Sequence, residues 1–78
     1  MEIGIIGSGH VGLVTGACFA DLGNDVICMD HDVNKIKSLE SGKVPFYEPG
    51  LLELVKKNKQ DRRLQFTSSV EEVVQFGK

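Results

Sequence analysis

Three glycines in the run Gly7-Ser8-Gly9-His10-Val11-Gly12, followed by Asp30 about twenty positions on, have the types and spacing to hold a phosphate-linked nucleotide pair. Glycine at the first position permits a tight turn out of a strand. At the second it leaves no side chain between backbone and pyrophosphate, and at the third it lets a helix approach the sheet closely. The helix so begun would turn its unpaired N–H groups and the positive end of its dipole toward the phosphates. Asp30 would then accept from both hydroxyls of the adenosine ribose and repel a 2′-phosphate, which favours NAD over NADP. Ser8, His10 and Val11 belong to the same turn and complete the expected cofactor-binding set. His10 reads as loop packing, and His31 as a residue at the adenine edge or in solvent; neither is given a catalytic role. The plainer alternative is a ligand-free strand-to-helix turn with an acid that only caps a helix.

Such a turn needs a strand before it, a helix after it and a second strand ending at the acid. Ile3 to Ile6 is a short, almost wholly apolar run, the pattern of a strand covered on both faces. From about His10 to Leu22 there is no proline, and Val11, Val14, Cys18 and Leu22 recur at helical spacing beside the small residues Gly12, Gly16, Ala17 and Ala20. Gly23 suits the left-handed position after that helix. Val26 to Met29 reads as a second, parallel strand with Asp30 at its carboxyl end. Asp32 can cap a helix from about Val33 to Glu40. Pro49 suits the first turn of another, ending near Asn58, with Leu51, Leu54 and Val55 inward. Leu64 to Thr67 is a third strand, and Ser69 with Glu72 has capping-box spacing for a last helix from Val70 to Phe76. Strands alternating with helices define an α/β fold: a Rossmann-like βαβ dinucleotide-binding half with three parallel strands in the order 3-2-1.

Composition narrows the function classes. The apolar fraction of 41% and charged fraction of 26% are ordinary for a globular protein, and no apolar run approaches a membrane span. The start, Met1-Glu2 and then a strand-like run, lacks the basic and apolar segments of a secretory signal, so a cytoplasmic location is expected. Cys18 and Cys28 form no CxxC pair and fall in a helix and a strand; both read as small buried hydrophobes, with no disulfide, zinc site or nucleophile expected. The net charge of −2 hides an asymmetry, because Met1 to Asn34 holds no Lys or Arg. The cluster Lys56, Lys57, Lys59, Arg62 and Arg63 lacks interleaved aromatics, so it reads as a solvated helix end and not a nucleic-acid surface.

The stretch Gly7 to Asp30, GSGHVGLVTGACFADLGNDVICMD, resembles the opening of the UDP-glucose/GDP-mannose dehydrogenase family. Lys35-Ile36 sits where that family has a basic-apolar pair, Pro45-Phe46-Tyr47-Glu48-Pro49-Gly50-Leu51 is close to its P-x-Y-E-P-G-L motif, and Leu64-Gln65-Phe66-Thr67 resembles its third strand. Tyr47 tilts the likeness toward the UDP-glucose branch, and His10 departs from the aromatic common at that place. The resemblance implies NAD as cofactor, held by Gly7 through Gly12 and by Asp30, with Lys35 near the adenosine end. It also implies oxidation of a nucleotide-sugar C6 alcohol to the carboxylate, UDP-glucose to UDP-glucuronate in that branch, in two steps. The family's nucleophilic cysteine and its substrate domain have no counterpart here, so residues 1–78 are expected to be the N-terminal half of the dinucleotide domain, without catalysis of their own. Another NAD-dependent dehydrogenase, of the hydroxyacyl-CoA type, or a nucleotide-sensing module would share the glycine turn but leave the Tyr47 to Leu51 loop unexplained.

A further expectation concerns association. In the complete fold the first strand is central, so without a fourth strand Ile3 to Ile6 lie at an open edge. The helices of this half should occupy one face, leaving the other bare. A homo-oligomer joined through that strand or face is expected.

Overall fold

The structure is a computed structural model that describes residues 1–7, 9–44 and 49–76. Three parallel strands, β1 (Glu2–Ile6), β2 (Asp25–Met29) and β3 (Leu64–Thr67), form one sheet in the order β1-β2-β3. The helices are α1 (His10–Asp21), α2 (Val33–Glu40), α3 (Leu51–Gln60) and α4 (Val70–Gln75). The expected parallel α/β arrangement and strand order are present.

Register divides the sheet into two faces. Ile3, Val26 and Leu64 lie side by side, as do Ile5, Cys28 and Phe66. These rows meet Leu13, Ala17 and Ala20 of α1, Ile36 and Leu39 of α2, and Leu51 and Val55 of α3 in one core. The alternate rows, Gly4-Ile27-Gln65 and Ile6-Met29-Thr67, point the other way. That face is not bare, as the helix arrangement expected from sequence required. Helix α4 lies across it: a Cβ on Gly4 would stand 2.8 Å from Val73 Cγ1, and Ile27 and Met29 are buried. A right-handed crossover that turns back from β3 toward β1 has to pass over the opposite face, which is where α4 runs.

Several local expectations are corrected. Only β2 is covered on both faces; β1 alternates and leaves Ile6 63% exposed, because it is an edge strand in this sheet. The inward stripe of α1 is Leu13, Gly16, Ala17 and Ala20, while Val11, Leu22 and Cys18 face outward. Gly16, Ala17 and Ala20 bring the helix backbone close to the strands, and Leu13 fills the core beside them. Pro49 precedes α3 instead of entering its first turn, since Gly50 is the N-cap, and α3 runs on to Gln60. Ser69 makes no side-chain cap on α4; its N–H donates instead to Thr67 Oγ1 at 3.0 Å. Asp32 does cap α2, its carboxylate accepting from the N–H groups of Asn34 and Lys35.

Candidate functional site

The glycine turn joins β1 to α1 at the carboxyl edge of the sheet. Gly7 adopts φ +92°, a left-handed conformation that costs a residue with a side chain about 1–2 kcal/mol. Its N–H donates to the Met29 carbonyl at 2.6 Å, which ties the turn to the residue just before Asp30. Gly12 sits against the turn: a Cβ there would overlap the Gly7 carbonyl oxygen and lie 3.6 Å from Ile5 Cγ2. Gly9 is the opposite case. A Cβ at Gly9 would meet nothing within 4 Å, so the reason for glycine there lies in solvent-facing space beside the turn and not in the packing.

Helix α1 begins without the device that α2 uses. Gly9 is its N-cap with no side-chain bond, and its first turn carries no acid. In α2 the Asp32 carboxylate occupies the corresponding N–H groups. The start of α1 therefore has neither a side-chain bond from its N-cap nor an acid in its first turn to offset the positive dipole end. An anion is the natural complement. Beside it His10, Val11, Val14 and Thr15 line an open groove of about 260 Å³, small and shallow beside the pockets that bury most of a ligand.

Asp30 follows β2 at the same edge. Its N–H donates to the Thr67 carbonyl at 3.1 Å, fixing it against the end of β3. Its carboxylate is held on two sides: Oδ1 accepts from the Asp32 N–H at 2.9 Å, and Oδ2 is 3.3 Å from Lys35 Nζ. The structure thus brings Gly7, Gly9, His10, Val11, Gly12, Asp30 and Lys35 to one edge of the sheet. Ser8, and Pro45 through Glu48 of the second motif, lie outside the described residues. The contact between Lys35 and Asp30 was not read from the sequence. Its trace was there in the Asp32 cap, because a cap at that position places Lys35 in the first turn of α2, next to the strand end.

The cysteines take no part. Cys28 is wholly buried in β2, and burial pushes its thiol up to about 12, where no thiolate forms at neutral pH. Cys18 is exposed on α1, contrary to its expected place in the core, because the inward stripe is made by Leu13, Gly16, Ala17 and Ala20 and position 18 falls outside it. Among the described residues no three His, Cys, Asp or Glu side chains are grouped to hold a metal ion, and no helix is long and apolar enough to cross a membrane.

A parallel sheet with a glycine turn opening its first helix and an acid ending its second strand defines a dinucleotide-binding α/β unit. Comparison with known proteins narrows the class. The model of the UDP-glucose/GDP-mannose dehydrogenase family, NAD binding domain, matches residues 1–77, and the chain belongs to that family. It is 55% identical over 69 residues, 88% of its length, to UDP-glucose 6-dehydrogenase TuaD of Bacillus subtilis, covering 15% of that protein. Over 74 residues, 95% of the chain, it is 50% identical to UDP-glucose 6-dehydrogenase of Rhizobium meliloti, covering 17%. A crystal structure of GDP-mannose dehydrogenase from Pseudomonas aeruginosa superposes with a TM-score of 0.90 at 38% identity, over 95% of this chain and 17% of that one. The UDP-glucose dehydrogenase of Pyrobaculum islandicum gives a TM-score of 0.87 at 36% identity, over 94% and 17%. The chain therefore spans about a sixth of the length of these relatives.

The described residues fit NAD, the cofactor of the matched domain. Open space at Gly9, an α1 start without a side-chain cap, and a fixed carboxylate at the same edge are the features a pyrophosphate and a ribose require.

Proposed function

We propose that this chain is the adenosine-binding half of an NAD-dependent dehydrogenase that oxidises UDP-glucose at C6 to UDP-glucuronate, in the cytoplasm. The observation that carries the cofactor site is the α1 start without a side-chain cap, on the same edge as Asp30. Identity of 55% and 50% to two UDP-glucose 6-dehydrogenases favours that sugar nucleotide over others. Residues 1–78 form one partial domain in this reading, with the second half of the dinucleotide fold and the substrate domain supplied by further sequence.

The residues divide the work. Backbone N–H groups of the Gly7 to Gly12 turn, Ser8, His10 and Val11 included, receive the pyrophosphate, and Gly9 keeps the approach clear. Asp30 accepts the ribose hydroxyls, and Lys35 lies beside it. When bound, NAD supplies the hydride acceptor. This chain orients its adenosine end and contributes no group to proton or hydride transfer, so catalysis by the chain alone is not expected.

Amide shifts on titration with NAD test the site. They should be weak in affinity and concentrated at residues 7–12 and Asp30; shifts centred on Lys56 to Arg63 would refute the assignment. Gly9→Val should abolish those shifts and leave the rest of the spectrum unchanged, since a side chain there meets only open space.

For residues 1–78 on their own, the edge of β1, with Ile6 at 63% exposure, supports self-association through that strand, the edge that the second half of the fold would pair in the longer protein. Helix α4 takes away much of the face that would otherwise be a second route. A single folded monomer in sedimentation equilibrium at about 100 µM, a range suited to weak association, would rule the homo-oligomer out.

A further inference from the structure

An acid at the end of the second strand is expected to reject a 2′-phosphate by its charge. Here that charge is largely compensated. Lys35 Nζ lies 3.3 Å from Asp30 Oδ2, and the two side chains are only 27% and 18% exposed. Nor is the lysine there by the chance of a long side chain. The Asp32 cap accepts from the Lys35 N–H at 3.2 Å and starts α2 at Val33, which sets Lys35 in the first turn beside Asp30. The carboxylate is fixed from its other side by the Asp32 N–H. Two acids, at positions 30 and 32, thus do different jobs: Asp32 positions the lysine backbone, and Asp30 engages its amine.

A nearly neutral pair exerts little repulsion beyond its immediate neighbours. Discrimination between ribose hydroxyls and a 2′-phosphate then depends on which anion the ammonium serves. We infer that Lys35 is the specificity-determining partner of Asp30: the carboxylate occupies the ammonium in the wild-type protein, and removal of the carboxylate turns Lys35 into the acceptor for a ribose 2′-phosphate. The inference rests on the adenosine-site reading given above. Lysine suits the role, because an ammonium binds phosphate as a point charge and re-aims on a flexible stem.

The test is titration of the full chain with NAD and with NADP, followed by amide shifts and by calorimetry at fixed salt. Wild type should prefer NAD by about tenfold or more, the scale of one charge-assisted hydrogen bond. Asp30→Ser should weaken NAD by about tenfold and strengthen NADP by a similar factor, reversing the preference. Lys35→Met should keep the NAD preference and bind NADP still more weakly. The double variant Asp30→Ser/Lys35→Met should lose the NADP gain. Asp30→Asn, which keeps the side-chain shape, serves as the second acid variant should Asp30→Ser disturb the fold. Equal NADP affinity in the single and double variants, or no NADP gain in either acid variant while its spectrum stays dispersed, overturns the role of Lys35 and leaves the NAD site standing. NAD shifts in wild type that avoid residues 7–12 overturn both.

Discussion

The two faces of the sheet are built on different terms. On one, three helices share a continuous core with the Ile3-Val26-Leu64 and Ile5-Cys28-Phe66 rows. On the other, α4 is the one helix among the described residues that lies over Ile27 and Met29; none of its own residues is buried, and Ile6, Val70 and Val74 remain exposed around it. The cofactor-binding turn belongs to the first face, since α1 and its glycines are packed there. The crowded face therefore fixes the geometry of the site, while the lightly covered face contributes to stability without setting the position of any site residue.

The largest effects should come from the crowded face. Gly12→Val would drive a side chain into the Gly7 carbonyl, a backbone atom that cannot move without opening the turn. A loss at or above about 3 kcal/mol is expected, the upper range of overpacking. Leu13→Ala, at a fully buried position in the next residue, should cost a similar 2–5 kcal/mol, roughly, by leaving a cavity. Urea unfolding measures both. Either is a large share of the total, about 4–12 kcal/mol for a chain this size. If Gly12→Val were as mild as Gly9→Val, the distinction between a packing glycine and a ligand-facing one would be lost.

On the other face the corresponding change is smaller. Val73 is half-buried over Gly4, and Val73→Ala removes two methyl groups from a contact that solvent already reaches. About 1 kcal/mol is expected, with the amide shifts of the glycine turn unchanged. A loss as large as that of Leu13→Ala would show that α4 is part of the main core, and the contrast between the faces would fail.

Signals with short-range physics were legible in the sequence. The Asp32 cap, the left-handed position of Gly23, the glycine turn and the β3 run Leu64 to Thr67 all depend on a few neighbouring residues, and all are found in place. The facing of α1 was not legible. Val11, Val14, Cys18 and Leu22 share helical spacing with each other, but so do Leu13, Gly16, Ala17 and Ala20, and hydrophobicity alone selects the bulkier set. Close approach selects the other: a Cβ on Gly16 would lie 2.7 Å from Cys28 Sγ, so this surface of α1 is in contact with β2. The position of α4 was missed for a different reason. Its sequence shows a helix but not which way the chain turns after β3. The Asp30–Lys35 pair joins a strand end to a helix first turn, and its geometry exists only once the Asp32 cap has formed.

The smallest effect concerns how the crowded face holds together sideways. Asp21, the last residue of α1, accepts from Asn58 Nδ2 at 3.2 Å and from Lys57 Nζ at 3.3 Å, both on α3. The bonds from Asn58 and then Lys57 hold the Asp21 carboxyl below its ordinary value of 3.8. A folded-state value below the unfolded one means that the unfolded chain takes up the proton more readily. The contribution is therefore present above about pH 3.8 and is lost as pH falls through the folded value. Because Asp21 is at the surface, screening keeps the effect below that of Val73→Ala. The Asn58 amide also donates to the Leu54 carbonyl at 2.9 Å, and its Oδ1 is buried with no hydrogen-bond partner among the described residues, so the side chain has little freedom to follow Asp21 if the acid is neutralised. Asp21→Asn should lower stability at pH 6–7, and its deficit relative to wild type should shrink as both are taken below pH 3.8. Raised salt should reduce the deficit at neutral pH as well. A deficit that stays constant across the acid range would mean that Asp21 joins α1 to α3 by its shape and not by its charge. The lateral bond of the crowded face would then be packing, as in the core beneath it.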